Sequence, residues 1–294
     1  MAAAAIAAAA VAVVLTVADD PATGQVAGLG SVAGQATAPS PPREDGPLLR
    51  GQAGPVVGGL SASSVGVLVV DGGRHQCSAA VVASRSRRLL VTAAHCVWLD
   101  GAWRVDGAYF VPGWASGEEP YGRWTVDTAY VPPAWPQANS PIEDVAAHVD
   151  YAFVSLLPRD GVLPEQVLGA QGIRWSTTDS VEVAALGYPA VGGYDGQSLR
   201  GCSGPAVVEP FSHRSATEPG EVLALSCDMT QGASGGPWLV GPDAAAGRGQ
   251  VVGVVSGGDD TATLVSPRFG PAAKTIYDAA DSAAEQFGPA PATG

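Results

Sequence analysis

Lysine is almost absent from the sequence, because Lys274 is the only one among 294 residues and the remaining basic residues are arginines. The chain carries 28 acidic residues against 15 basic ones, and its net charge at pH 7 is −13. A surface with this excess of negative charge repels phosphate backbones and anionic lipid headgroups. We therefore expect neither a nucleic-acid partner nor binding to an anionic membrane surface.

Positive charge is also missing from the first 18 residues, MAAAAIAAAAVAVVLTVA, which form an uncharged apolar run. Such a run is typical of the hydrophobic part of a signal peptide, and Thr16 and Ala18 are small enough to precede a cleavage site. The alternative is an uncleaved anchor helix, although a bilayer span takes about 20 residues. Either interpretation exports the rest of the chain. A membrane contact is expected only through this segment.

Two further segments lack the periodicity of helices or strands. Residues 19–63 are rich in alanine, glycine and proline, and this composition predicts a disordered linker or pro-segment. Residues 289–294 form a similar tail. The folded domain is therefore expected to span residues 64–288.

Charged residues make up only 15% of the chain, whereas glycine (39) and proline (24) are frequent. This composition favours a turn-rich, all-β protein. About eleven short runs of β-branched or alternating apolar residues are separated by Gly, Pro and Asp, a pattern typical of a sandwich or barrel. One segment, residues 271–287, instead predicts a helix with one apolar face. That face consists of Ala273, Ile276, Tyr277, Ala280, Ala284 and Phe287.

Pairs of cysteines two to four residues apart, which would indicate a zinc site, are also missing, and the adjacent His95 and Cys96 have the wrong spacing for shared ligation. We therefore predict no metal. An even number of cysteines in an exported chain indicates two disulfide bonds, and three pairings remain open. The cysteines are Cys77, Cys96, Cys202 and Cys227.

Three sequence elements point to nucleophilic catalysis. Ser234 lies in GASGGP (232–237), where the flanking glycines permit the tight turn that exposes a hydroxyl group and aims backbone N–H groups at one point. His95 follows an apolar strand in LLVTAAHC (89–96). Asp150 opens the run DYAFV (150–154), and the alternative aspartates, Asp127 and Asp144, have less suitable contexts.

These elements resemble the trypsin/chymotrypsin superfamily of serine peptidases, most closely the bacterial V8/glutamyl-endopeptidase-like members. TAAHC matches the family motif residue for residue, and the order His…Asp…Ser is that of the family. The resemblance covers about residues 64–288. It implies two six-stranded antiparallel β-barrels with a C-terminal α-helix, and a catalytic triad of His95, Asp150 and Ser234.

The resemblance also implies the remaining site residues. The N–H groups of Gly232 and Ser234 are expected to form the oxyanion hole. The disulfide bonds are predicted to join Cys77 to Cys96 and Cys202 to Cys227. The residues expected to contact the substrate are Asp228, Ser256, Gly257 and Gly258. No cofactor is expected.

Some positions depart from the family pattern. Asp228 lies where trypsins have the acid that selects Arg and Lys, but the usual cysteine between it and Ser234 is absent, and Arg268 could neutralise it. Glutamyl specificity is not supported either, since Val255 replaces a histidine of that subgroup. The segment VVGG (56–59) resembles an activation site. However, Pro55 precedes this segment and Ala233 offers no carboxylate to a new α-amine.

The sequence therefore predicts a secreted, monomeric serine endopeptidase that acts on proteins or peptides. A catalytically silent relative that only binds proteins is the first alternative, but such relatives usually lose a triad residue. An esterase is the second alternative, although α/β-hydrolases order their triad Ser…Asp…His and need more helices than this chain has.

Overall fold

The computed structural model describes residues 51–56, 58–138, 146–211, 220–258 and 262–286. The predicted signal peptide, most of the predicted linker and the tail 289–294 lie outside these residues. The described part of the linker is ordered: Gly54–Pro55 form strand β1, and Ser61–Ser64 form a short helix, α1, that leads into the first barrel strand.

The first half of the domain is a closed, six-stranded antiparallel barrel. Its strands follow the order β2-β3-β4-β9-β8-β7. Their bounds are Val65–Val70 (β2), His75–Val81 (β3), Leu89–Thr92 (β4), Tyr109–Pro112 (β7), Trp124–Tyr130 (β8) and Ala152–Leu156 (β9). All six residues of β2 are buried, which accounts for its unbroken apolar run. This barrel confirms one of the two that the resemblance predicted.

The elements between these strands are short. Helix α2 (Ala94–Val97) and the hairpin β5 (Trp98–Leu99) and β6 (Ala102–Trp103) follow β4. Helix α3 (Ala134–Ala138) and a 3₁₀ turn (Ala147–Val149) precede β9, and helix α4 (Pro164–Leu168) follows it. None of the described helices has the length and apolar character that a membrane crossing needs.

The second half of the domain is a large sheet whose strands run in the order β10-β15-β14-β11-β12-β13-β17-β16, with β1 paired to β12. All pairs are antiparallel except β10–β15. The bounds are Gly172–Ile173 (β10), Ser180–Gly187 (β11), Arg200–Phe211 (β12), Gly220–Ser226 (β13), Pro237–Val240 (β14), Gln250–Val254 (β15), Gly257–Gly258 (β16) and Thr263–Pro267 (β17).

The predicted second closed barrel is not confirmed, because this sheet is an open path. Strands β15 and β17 do approach each other: Phe269 N donates to Val252 O at 2.9 Å, and a Cβ on Gly253 would lie 2.1 Å from Ser266 Oγ. The described residues nevertheless form no ladder between these two strands. One reason is that Pro267, at the end of β17, has no N–H to donate.

The predicted C-terminal helix is present as α5 (Pro271–Gln286), with Ala273, Ala280 and Ala284 buried as the periodicity required. The helix packs on the barrel, where Arg88 Nη1 donates to Ala284 O at 2.8 Å. The helix also buries a polar group that periodicity did not predict. The Asp281 carboxylate accepts hydrogen bonds from the backbone N–H groups of Arg85 and Ser86.

Candidate active site

His95 and Asp150 are brought together by strand pairing. Strands β4 and β9 are antiparallel and place Thr92 opposite Ala152. His95 follows Thr92 by three residues and Asp150 precedes Ala152 by two, so both lie beyond the same end of the pair. The strand register therefore determines that these two side chains meet.

The Asp150 carboxylate is fully buried and accepts three hydrogen bonds. Oδ1 accepts from His95 N at 2.9 Å, and Oδ2 lies 2.8 Å from His95 Nδ1. Oδ2 also accepts from Ser256 Oγ at 2.6 Å. With Nδ1 donating to the carboxylate, the neutral imidazole keeps its lone pair on Nε2, which is the form a general base requires.

Asp127, one of the two alternative aspartates, is not in this position. Asp127 Oδ2 accepts from Arg88 Nη2 at 2.9 Å and from Ser155 Oγ at 3.1 Å, so its carboxylate neutralises a buried guanidinium group. Asp144 lies outside the described residues.

The loop that carries Ser234 packs against the loop that carries His95. Ser78 N donates to Ser234 O at 2.7 Å, and the Cys96 sulfur lies 3.8 Å from the same oxygen. Ser234 is partly exposed, and its Oγ has no hydrogen-bond partner in the part of the chain that the structure describes. Hydrogen bonds of a nucleophile are often loose before substrate binds.

Glycine is required on both sides of this serine. Gly232 has φ +98°, and a Cβ there would lie 2.5 Å from Tyr188 O. Gly235 has φ +81°, and a Cβ there would lie 2.1 Å from Thr92 Oγ1. The GASGGP sequence is therefore explained by two left-handed positions and by the close contact of two loops.

The direction of the Gly232 N–H group is set by a hydrogen bond on the other side of the Gln231–Gly232 peptide. Gln231 O accepts from Ala190 N at 2.7 Å. The C=O and N–H of a planar trans peptide point in opposite directions, so this bond turns the Gly232 N–H away from Ala190. Within the described ranges this N–H has no acceptor.

The Ser234 N–H group is held in the same way. Ala233 O accepts from Gly236 N at 2.9 Å, which directs the N–H of the Ala233–Ser234 peptide to the other side. This N–H also has no acceptor among the residues described. The two N–H groups predicted to bind an oxyanion are thus both available.

Both predicted disulfide bonds are present. Cys77 of β3 is joined to Cys96 of α2, and Cys202 of β12 is joined to Cys227 after β13. Two clusters of potential metal-ligating atoms in the described ranges each contain one complete disulfide. Metals bind thiolates rather than disulfide sulfurs, so neither cluster is a good metal site.

The Asp228 side chain accepts hydrogen bonds from other residues of the protein. Its Oδ1 accepts from Ala53 N at 2.7 Å and from Tyr194 OH at 2.8 Å. Burial and the hydrogen bond to Asp228 raise the pKa of Tyr194 to about 12, so the phenol remains a donor at neutral pH. Arg268, proposed above as a partner of Asp228, instead pairs with Glu221 at 3.0 Å and with other groups.

Of the remaining predicted substrate residues, Ser256 contacts Asp150, and Gly257 and Gly258 follow Ser256 along the chain. Ser256 N donates to Val265 O at 3.0 Å, while its side chain binds Asp150. Gly257 and Gly258 form β16 on the edge of the sheet, and a Cβ on Gly257 would meet nothing within 4 Å. This edge is therefore open enough for an extended peptide to approach.

Two polar contacts of the site were missed by sequence reasoning. The bond from Ser256 to Asp150 joins residues 106 apart in sequence. Ser78 bonds Gly232 O across 154 residues. Ser256 was predicted only as a substrate contact and Ser78 was not predicted at all, because no local pattern indicates a partner so far away along the chain.

Comparison with known proteins agrees with this geometry. The family model of the trypsin-like peptidase domain matches residues 77–254. The protease Anisep from Arthrobacter nicotinovorans is similar in structure, with a TM-score of 0.65 and 28% identity over 78% of this chain and 97% of that one. The thermostable serine protease AL20 from an extremophilic microorganism has a TM-score of 0.66 and 26% identity, over 76% of this chain and 99% of that one.

A Glu endopeptidase shares the fold, with a TM-score of 0.60 and 18% identity over 78% of this chain and 96% of that one. No match is found among curated protein sequences. The family model alone covers more than half of the chain. The chain therefore belongs to the family of trypsin-like peptidase domains and is a serine-type peptidase.

Proposed function

We propose that this protein is an exported endopeptidase that hydrolyses peptide bonds through an acyl-enzyme, with Ser234, His95 and Asp150 as its triad. The observation that carries the proposal is the buried Asp150 carboxylate, which binds both the backbone N–H and Nδ1 of His95. A carboxylate in this position orients the imidazole and stabilises its protonated form. The substrates are peptides or proteins, as for the family.

The reaction proceeds in two halves. Ser234 Oγ attacks the scissile carbonyl carbon while its proton passes to His95 Nε2. The tetrahedral intermediate collapses when that proton moves to the leaving amine, which breaks the C–N bond and leaves an ester on Ser234. Water then attacks the ester with His95 again as the base, and the carboxylic acid product and free Ser234 are regenerated.

The developing oxyanion is bound by the N–H groups of Gly232 and Ser234. Both groups lack an acceptor within the described ranges, and both are aimed by hydrogen bonds on the opposite side of their peptides. Because they are already oriented, they need little reorganisation during the reaction. Each such donor contributes about 3 kcal/mol to the stability of the transition state.

Labelling with a fluorophosphonate probe tests the nucleophile. The wild-type protein should be labelled and should hydrolyse peptides, whereas Ser234→Ala should do neither. Ser180→Ala is the matched control, because Ser180 is more exposed than Ser234 but lies outside the site. Labelling that survives in Ser234→Ala, or that disappears in Ser180→Ala, would refute the assignment.

Export is supported by the apolar N-terminal run and by the two disulfide bonds, which persist in oxidising compartments. If residues 1–18 are a signal peptide, N-terminal sequencing of protein from the medium should begin at residue 19 or later. Recovery of the intact N-terminus in the membrane fraction would instead show an anchor. An active protein confined to the cytoplasm would contradict both the signal-peptide and the anchor interpretation.

Selection of Arg or Lys by Asp228 is not part of the proposal. Its Oδ1 already accepts two hydrogen bonds, from Ala53 and Tyr194. Profiling of the purified protein against a peptide library is therefore expected to show no strong preference for a basic residue before the cleaved bond. A strong preference that is lost in Asp228→Asn would show that this reasoning is wrong.

Activity should also not depend on a free α-amine at Val56. In the structure Val56 N donates to Leu199 O at 3.1 Å, and Ala233 is a buried methyl group that offers no counter-ion. Burying an unpaired ammonium beside it would cost several kcal/mol. We expect equal ester hydrolysis by proteins that begin at residue 54, with a free or an extended N-terminus. Activity only in a protein that begins at Val56 would overturn this expectation.

A further inference from the structure

We propose that the hydroxyl group of Ser78 positions the oxyanion hole. Ser78 is fully buried in β3, next to Cys77. The inference rests on the proposed function, because it concerns the N–H groups of Gly232 and Ser234. Ser78 is a positioning residue rather than a catalytic one.

Two hydrogen bonds join Ser78 to the loop that carries Ser234, and a third joins it to Tyr188, directly after β11. The Ser78 N–H donates to Ser234 O at 2.7 Å, and its Oγ donates to Gly232 O at 2.8 Å. Tyr188 N donates to the same Oγ at 2.9 Å. A backbone N–H can only donate and a carbonyl oxygen can only accept, so the Ser78 O–H must point to Gly232 O.

The carbonyl that Ser78 holds belongs to the peptide between the two oxyanion donors. Gly232 N precedes this peptide and Ser234 N follows it by one residue. The N–H group of this peptide, which belongs to Ala233, donates to Thr230 O at 3.1 Å. Since a peptide is planar, holding both of its polar groups restricts ψ of Gly232 and φ of Ala233, which are two of the four dihedral angles between the peptides that carry the two donors.

Among the described residues, the Ser78 hydroxyl is the only donor to Gly232 O. Gly232 has φ +98° and no side chain to restrain it, and the Ala233 side chain is a methyl group. Ser78 itself is held firmly, because Thr92 Oγ1 donates to its carbonyl oxygen at 2.9 Å. Without the hydroxyl, the bonds at Gln231 O and Ala233 O would remain, but the Gly232–Ala233 peptide that links the two donors would lose the bond at its carbonyl oxygen and would be less restrained.

The test compares Ser78→Ala with Ser64→Ala. Ser64 is equally buried and makes the same number of side-chain hydrogen bonds, donating to Leu60 O at 2.8 Å and accepting from Gln171 Nε2 at 3.0 Å, but it lies outside the active site. Loss of one oxyanion donor typically lowers kcat by about 100- to 1,000-fold. Loss of its positioning group should lower kcat by about 10- to 100-fold, with KM within about threefold of wild type.

Rates are expressed per active site titrated with the fluorophosphonate, so that unfolded protein does not count. Ser64→Ala should keep the wild-type kcat. A kcat of Ser78→Ala within threefold of wild type, or an equal loss in Ser64→Ala, would overturn the inference while leaving the proposed function intact. An inactive wild type, or full activity in Ser234→Ala, would instead remove the proposed function.

A second measurement separates positioning from general destabilisation. A peptide aldehyde forms a tetrahedral adduct with its oxygen in the oxyanion hole, whereas the matching carboxylate product does not. Ser78→Ala should weaken aldehyde binding in proportion to its loss of kcat and leave product binding unchanged. Ser78→Thr keeps the hydroxyl and should retain most of kcat. If Ser78→Ala does not fold, Ser78→Gly takes its place. Equal losses of kcat in Ser78→Gly and Ser78→Thr would refute the role of the hydroxyl.

Discussion

Removal of the Cys77–Cys96 bond by alanine substitution at both positions is expected to lower stability and activity together. The bond spans a sequence separation of 19. The chain-entropy model assigns about 3 kcal/mol to a loop of this length. A domain with a typical stability of about 5–15 kcal/mol would remain folded after this loss. The activity effect has a separate cause, because Cys96 directly follows His95 and holds its loop to β3.

The Cys202–Cys227 bond provides the control. Its sequence separation is 25, so the same model predicts a loss of about 3 to 4 kcal/mol when it is removed. Neither of these cysteines adjoins a triad residue. The two double variants should therefore be destabilised to a similar degree, while only the first shows a lower kcat per titrated active site.

Urea denaturation followed by tryptophan fluorescence measures the loss of stability, and the chain has seven tryptophans to report unfolding. Peptide hydrolysis without urea, normalised by active-site titration, measures the loss of activity. An unchanged kcat in the Cys77→Ala/Cys96→Ala variant, or an equal loss in both variants, would refute the argument that the bond positions His95. A stability loss below about 1 kcal/mol in both would refute the entropic estimate.

Three further predictions follow from buried contacts. Ser256→Ala removes the 2.6 Å hydrogen bond to Asp150 and should lower kcat about tenfold without a large change in KM, as steady-state kinetics would show. Asp281→Asn should destabilise the domain by about 1–3 kcal/mol in urea denaturation at pH 7. Burial raises the pKa of the Asp281 carboxyl, but hydrogen bonds, first among them that from Ser86, outweigh it and hold the pKa below its ordinary value. The stability that the Asp281 carboxylate contributes is present above pH 3.8 and is lost as the pH falls through the folded-state pKa. The Asp281→Asn variant should therefore lose less stability than wild type on acidification below about pH 4. Gly235→Ala places a Cβ 2.1 Å from a threonine hydroxyl at φ +81° and should prevent accumulation of folded protein, and a normal melting curve would contradict it.

Several features could be predicted because their signals are local. The helix at Pro271–Gln286 has a 3.6-residue apolar period, and the first barrel has short apolar runs separated by turns. The contexts of His95 and Ser234 are specific within six to eight residues. Each of these signals is contained in a short segment of the chain, which is why composition and spacing suffice to detect it.

Other features depend on contacts between distant residues. Asp150, rather than Asp127, meets His95 because β4 pairs with β9 in one register. The second sheet is an open path because β15 and β17, although close in space, form no ladder among the described residues. Asp228 is occupied because β1 runs beside β12 and brings Ala53 within 2.7 Å.

By itself the sequence determined the chemical groups of this peptidase, their order and the all-β character of its domain. The tertiary structure alone decided which carboxylate binds His95, how the N–H groups of the proposed oxyanion hole are directed and which groups bind Asp228. The physical reason is that a hydrogen bond is made or lost within a few tenths of an ångström. Strand register and loop packing set distances of that size, whereas sequence spacing does not.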